Sequence, residues 1–252
     1  MRSFFTMFSK LFENIKLFSL DICFPIRCLG CQTENSWLCE ICLQKIQLRD
    51  QQVCPVCEKI LTPVGQSCFS CKRKSPLAGI LVACDYQNQL ISQGVHFFKY
   101  RFIDRLAEPL AEVMLRAMHG CELPLPELII PIPLHPRRLR WRGFNQSQLL
   151  TAYLAKNLLP NLELETTDKI LLRQRYTQPQ MKIKNQHHRQ QNVYEAFVVH
   201  NPEKIRGKKI LLVDDIATTG STIFECARVL KEAGAKEVYA VVIARQGAKK
   251  KT

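Results

Sequence analysis

Two neighbouring aspartates stand at the end of an apolar run, and a loop of small hydroxyl residues follows them: Lys209-Ile210-Leu211-Leu212-Val213-Asp214-Asp215-Ile216-Ala217-Thr218-Thr219-Gly220-Ser221-Thr222. The first half has the continuous hydrophobicity of a parallel strand buried on both faces, and Ile223 to Ala233 continues with a helical pattern. Strand, loop and helix in that order constrain the chain to an open α/β sheet. Adjacent acids cannot both enter a core without heavy desolvation, so they belong at the strand's carboxyl end, in the crevice where such sheets bind ligands. Asp214 and Asp215 are thereby placed to hold hydroxyls or a metal. Thr218, Thr219, Ser221 and Thr222 supply hydroxyl donors, Gly220 lets the backbone approach closely, and the helix start offers free N–H groups and a positive dipole end. The combination reads as a phosphate cradle.

Two other phosphate loops are excluded, since a dinucleotide fingerprint needs three spaced glycines and a Walker loop needs Gly-Lys before Ser or Thr. The stretch instead resembles the phosphoribosyl-pyrophosphate (PRPP) signature of type I phosphoribosyltransferases: apolar residues, two acids, then Thr218-Thr219-Gly220-Ser221-Thr222.

Upstream, Cys28-x-x-Cys31, Cys39-x-x-Cys42, Cys54-x-x-Cys57 and Cys68-x-x-Cys71 each aim two thiolates at a point. Eight ligands make two tetrahedral sites, and closed sets of four thiolates are what structural zinc prefers. In so short a segment with little core, the metal supplies folding energy. No thioredoxin-like pattern flanks the pairs to support a redox reading, and an iron–sulfur cluster is the other alternative. Spacing leaves the pairing open between consecutive ribbons, the reading adopted, and an interleaved cross-brace. Of the 12 cysteines, Cys23, Cys84, Cys121 and Cys226 have no such partner and read as buried thiols. Paired spacing with no preceding signal peptide points to a reducing, cytoplasmic setting rather than a secreted disulfide framework.

The 252-residue chain has room for one α/β domain with a smaller one attached. Its net charge of +14 favours polyanionic partners: nucleic acid, phosphorylated metabolites or an anionic membrane surface. Phe4, Phe5, Phe8, Leu11, Phe12, Ile15 and Phe18 recur at helical spacing, so residues 3–19 read as an amphipathic helix. Lys10, Glu13, Asn14 and Lys16 interrupt it well short of the roughly 20 apolar residues a spanning helix needs. The expected organisation is an N-terminal helix (1–20), a double zinc ribbon (21–74) and an α/β domain (79–252) with a hood (79–125) and a core (126–246).

Within that domain residues 79–86 read as a strand, 89–98 and 103–118 as helices, and Leu128 to Pro133 as the first strand of the core. Phe97, Phe98 and Tyr100 read as core, and Lys99 carries no assigned role. Arg137, Arg138, Arg140 and Arg142 then crowd a charged loop; guanidinium forks match phosphate oxygens in pairs, so this turn is a credible pyrophosphate seat. Residues 173–192, with Arg173, Gln178, His187, His188 and Arg189, lack period and read as a mobile basic loop able to close over a site. Tyr194 to Val199 and Glu237 to Ala244 read as strands, and Lys249 to Lys251 as a frayed tail.

The order of parts resembles the ComF/GntX family: the cysteine pairs, Phe98-Lys99-Tyr100, Pro131-Ile132-Pro133-Leu134-His135, Arg142-Gly143-Phe144-Asn145-Gln146, Gln178-Pro179-Gln180, Arg189 and the PRPP signature. The resemblance implies a type I phosphoribosyltransferase-like parallel sheet flanked by helices behind a double zinc ribbon. It implies that Asp214 and Asp215 hold the ribose hydroxyls of PRPP, that Thr218 to Thr222 hold its 5-phosphate, and that Arg137 to Arg142 face the pyrophosphate, with magnesium riding on the PRPP. It further implies a part in DNA uptake during natural transformation, on the cytoplasmic side, with incoming single-stranded DNA and the import machinery at the inner membrane as partners and no integral membrane segment. No acceptor signature is evident, so three readings stand: a PRPP-dependent transferase, a non-catalytic single-strand-binding module that senses PRPP, and an adaptor.

Overall fold

The computed structural model describes residues 26–178, 183 and 186–246. The expected helix over 3–19, Cys23, Pro179, Gln180, Lys182, Lys184 and the tail Lys249 to Lys251 lie outside the described residues. The chain divides into two compact units, Met1–Lys45 and Ile46–Thr252. In the first, Arg27 and Glu34 form an antiparallel bridge, and the short helix α1 (Glu40–Gln44) starts one residue after Cys39.

The second unit is built on the strands β1 (Gly79–Asp85), β2 (Leu128–Pro131), β3 (Leu171–Arg173), β4 (Phe197–Val199), β5 (Lys209–Ala217) and β6 (Glu237–Arg245). Four of them form a parallel sheet in the order β1-β6-β5-β2, while β3 and β4 make a separate antiparallel pair. The segment read from sequence as a hood therefore contributes β1 to the sheet itself. Both faces are covered, which is why the strands are apolar throughout rather than alternating. On one side Ile210, Leu212, Val238, Ala240 and Val242 join a core with Cys226, Ala227 and Leu230 of α8 (Ser221–Glu232). Against the sheet also pack α4 (Ala107–His119) and α6 (Gln146–Asn157), whose Leu110, Met114, Leu150 and Leu154 are fully buried.

Parallel sheets leave unpaired edges, and here both edges are covered by irregular chain. Thr166 bridges Ile129 of β2. At β1 the Gln52 side chain imitates a strand: its Nε2 donates to Val82 O at 2.9 Å and its Oε1 accepts from Val82 N at 3.1 Å. Ile80 N donates to Gly65 O at 2.9 Å, and Ser67 N to Ala78 O at 2.8 Å. Gly65 sits at φ +68°, and a Cβ there would lie 1.9 Å from Ile80 O, so only glycine lets the two backbones meet.

Three sequence readings change. The arginine-rich stretch is no loop but the helix α5 (Pro136–Arg142): His135 Nδ1 accepts from Arg137 N, Pro136 supplies a preset first-turn φ, and Gly143 closes the end at φ +83°. The basic stretch 173–192 begins inside β3 and ends in the helix α7 (Gln186–Val193), whose polar composition hid its period. Of the Tyr194–Val199 run, only Phe197–Val199 pairs, because the partner β3 is three residues long. Ahead of α4, α3 (Gln89–Tyr100) is capped by Asn88, which accepts from Leu90 N and Ile91 N.

Candidate functional site

The acids sit where a strand gives way to a helix start. Asp214 Oδ1 accepts from Asp215 N at 2.9 Å, and Asp215 Oδ1 accepts from Ile216 N at 2.6 Å, so each carboxylate is oriented by the next amide. Beyond them Thr219 and Ser221 hydroxyls lie 2.7 Å apart, and Gly220 turns the chain at φ +76° into α8. At that φ a side chain would be strained and its Cβ would press on the Phe224 ring.

Other elements converge on this end of β5. Lys99, from α3, places its Nζ 2.9 Å from Asp215 Oδ1. Burial alone would lower the Lys99 pKa, but the Asp215 and Asp214 charges outweigh it and raise it above the ordinary lysine value. Ser147 Oγ donates to Asp214 Oδ1 at 3.0 Å. Desolvation first, and the Asp215 charge second, push Asp214 up to about 7, which leaves it poised between proton-bearing and charged forms at neutral pH.

The Gly143-Phe144-Asn145-Gln146 run explains how α6 presents Ser147. Asn145 Oδ1 caps the helix by accepting from Ser147 N, while its Nδ2 donates to Ile132 O beyond β2. Gln146 Oε1 accepts from Arg142 Nη1 at 2.7 Å, and Phe144 packs on Phe98 at 5.6 Å between centroids. Sequence reasoning missed Ser147 and gave Lys99 no role; the available signal was a cap residue and hydroxyl directly after an arginine-rich stretch.

A cleft of about 1000 Å³ opens onto the acids, Lys99, Thr218, Gly220, Ser221 and Thr222 and is also lined by Arg137, Arg138, Arg142 and Arg173. Arg140 is not among its lining residues, because a short helix cannot turn all four arginines one way. Arg138 Nη2 donates to Thr177 O at 2.7 Å. Arg173 is fixed in β3 rather than free in a loop: it bonds the Thr177 hydroxyl and lies over the Phe197 ring. Burial, then the nearby Arg138, bring Arg173 down to about 10. Among the described residues no carboxylate pairs with Arg138, Arg142 or Arg173, and the Nε groups of Arg142 and Arg173 are buried without a hydrogen-bond partner. Clustered guanidinium groups with no carboxylate in ion-pair contact make a seat for an anion. Gln178 is tied to Asn192 and Arg189 to Ile183 O at 2.7 Å, and neither lines the cleft.

The eight paired cysteines gather as Cys28, Cys31, Cys39 and Cys42, and as Cys54, Cys57, Cys68 and Cys71, with ligand atoms in each set within 4.8 Å of one another. Consecutive pairs therefore share a site, and the cross-brace alternative falls. Each set could hold a metal ion, and its all-thiol donors suit zinc. In the first, Gly30 N and Cys39 N donate to Cys28 Sγ at 3.4 and 3.3 Å, the amide contacts expected around a ligating thiolate. Burial and then the adjacent thiols push Cys42 up to about 12, because four close sulfurs cannot all ionise without a cation among them. Cys84 and Cys226 are buried, as expected of unpaired thiols, and Cys121 is half-buried. No helix among the described residues is long and apolar enough to cross a membrane.

Comparison with known proteins agrees with this architecture. Residues 151–252 match the phosphoribosyl transferase domain model. The chain is 31% identical to "Competence protein F" of Haemophilus influenzae over 88% of this chain and 98% of that protein. It is also 31% identical to "DNA utilization protein YhgH" of Salmonella typhi over 82% and 90%. A ribose-phosphate pyrophosphokinase of Thermococcus kodakarensis matches at 28% identity over 58% of this chain and 55% of its own. With the paired acids and hydroxyl loop at the end of a parallel strand, and two four-cysteine sets ahead of the domain, the chain belongs to the ComF/GntX family and has the type I phosphoribosyltransferase fold.

Proposed function

We propose that the cleft at the end of β5 binds PRPP, with magnesium carried on its pyrophosphate, and that the protein serves DNA uptake. The observation that carries the ligand assignment is the arrangement of opposite demands across one cavity. Its lining carries an acid pair that can accept ribose hydroxyls, beside a hydroxyl loop and helix start fit for a terminal phosphate. The same lining carries Arg138, Arg142 and Arg173 without carboxylate ion pairs, fit for a pyrophosphate. Asp214 and Asp215 orient the ribose, Ser147 and Lys99 hold the acids, and the arginines stabilise charge that grows on a departing pyrophosphate. Titration calorimetry with magnesium and PRPP tests this. Binding should be present in the native chain and lost in Asp214→Asn with Asp215→Asn; an unaltered affinity in the double variant overturns it.

The role in DNA handling is supported by the names of two relatives, the +14 charge and aromatic side chains beside the arginines. Trp141 and Tyr100 line the cleft and are exposed, and Phe102, also exposed, meets Trp141 edge-on at 5.2 Å. Exposed aromatic faces among basic groups suit the stacking of unpaired bases. This favours single-stranded DNA as partner and keeps a second reading in play, a module that binds strands and senses PRPP without turnover. Single-strand affinity should fall steeply with salt, and a flat dependence removes DNA as a ligand of the basic surface. Pyrophosphate release in a screen of acceptors separates transferase from sensor.

A further inference from the structure

The second four-cysteine set is joined to the phosphate loop by a short chain of side chains. Glu58 follows Cys57 directly and sits at φ +55°, with its N–H donating to Cys54 O at 2.9 Å, so the turn that shapes the first cysteine pair also aims this carboxylate. It reaches Arg245, the last residue of β6, at 2.5 Å between Oε1 and Nη2. Arg245 is almost wholly buried (side chain 6% exposed), and its Nε points to Thr218 O at 3.5 Å. Around it, Arg245 is in register with Ala217 of β5, and Gln246 N donates to Ala217 O at 2.8 Å. The guanidinium thus lies between the metal-binding turn and the carbonyl that opens the hydroxyl loop.

A buried cation is held in place by its carboxylate, and Glu58 is the one acid that pairs with Arg245 among the described residues. The peptide joining Thr218 to Thr219 is planar and trans, so orienting the Thr218 carbonyl also sets the opposite direction of the Thr219 N–H. Without an ion, four thiols held within 4.8 Å lose the attraction that keeps their turns closed, and Glu58 moves with the turn.

We propose that Glu58 and Arg245 are positioning residues that make the shape of the Thr218–Thr222 loop depend on metal held by Cys54, Cys57, Cys68 and Cys71. The ligand consequence rests on the PRPP reading above; the effect on the loop does not. The cysteine set is then part of the control of the phosphate site as well as a structural prop.

The test uses the full chain, metal-loaded and metal-stripped, as native protein, Glu58→Gln and Arg245→Lys. Hydrogen exchange of the amides at 217–222, zinc content and calorimetry with magnesium and PRPP are the readouts. Loaded Glu58→Gln should keep the native zinc content, exchange about tenfold faster in the loop and bind PRPP about tenfold more weakly, with Arg245→Lys intermediate. Stripping should speed loop exchange in the native chain but add little in Glu58→Gln. Native loop exchange in loaded Glu58→Gln overturns the proposal. So does stripping that accelerates the loop in Glu58→Gln as much as in the native chain, since the coupling then runs through the sheet edge instead. If the native chain binds no PRPP, the PRPP reading fails while the exchange measurements still decide this one.

Discussion

The two four-cysteine sets have nearly the same local chemistry and very different surroundings. In each, the first cysteine is fully buried and accepts an amide from the third, Cys39 N to Cys28 Sγ and Cys68 N to Cys54 Sγ, both at 3.3 Å. In each, a short helix starts directly after the third cysteine, α1 in the first and α2 (Phe69–Lys72) in the second. The first set belongs to Met1–Lys45 and is framed by local bonds such as Cys28 N to Thr33 O and Leu29 N to Trp37 O. The second belongs to Ile46–Thr252, where Gln52 and Gly65 bond the edge strand, Ser67 bonds Ala78 just before it, and Glu58 bonds Arg245. A shared motif builds a shared ligand set; what the metal then stabilises depends on what the flanking residues touch.

The strongest challenge to that contrast is removal of a ligand from each set in turn. Cys54→Ser and Cys28→Ser should each lower zinc from about two to about one per chain, because an incomplete thiol set loses its grip. Only Cys54→Ser should also lower the melting temperature of the sheet-bearing unit, since metal energy is folding energy for what is built on it, on the order of 10 kcal/mol for small zinc modules. Equal melting shifts in the two variants would dissolve the distinction. Next in size is Gly65→Ala, with all metal ligands intact: its overlap with Ile80 O should destabilise the unit by about 3 kcal/mol in denaturant titrations. A shift near zero would show that the backbone contact at β1 is not what anchors the second set.

Gln52→Ala should cost about 2 kcal/mol by the same measurement, because it leaves the buried Val82 N–H and C=O unpaired. A further effect concerns the acids, is read as a slope against pH and should be indifferent to the first set. The folded Asp214 pKa of about 7 lies above the ordinary aspartate value of 3.8, so between those values the unfolded carboxyl loses its proton while the folded one keeps it. Stability from this group is therefore full at low pH and declines as pH rises through that window. PRPP affinity should move the other way, gaining up to about tenfold from pH 6 to pH 8 as the carboxylate becomes available. Asp214→Asn should flatten the stability slope, and Cys28→Ser should leave it unchanged.

Much of this molecule was readable from residue order, and the failures have physical causes. β5 and β6 declare themselves as continuous apolar runs because both faces of a parallel sheet are covered, and the cysteine pairs because tetrahedral thiolate sites demand that spacing. The helix α5 was hidden because its cap is a histidine ring nitrogen and its arginines read as loop. The helix α7 was hidden because it carries almost no apolar residues, so no period could show.

Sequence by itself determined the paired acids, the hydroxyl loop, the cysteine pairs and the parallel α/β class, since each follows from neighbours a few residues apart. Tertiary structure alone decided that Lys99 meets Asp215, that Ser147 meets Asp214, and that Arg173 is buried beside Arg138 instead of moving with a loop. It also decided which cysteine pairs gather into one four-thiol set and that Glu58 reaches across 187 positions to Arg245. Contacts at that separation depend on how the strands order themselves in the sheet, a consequence of burying all their apolar faces at once.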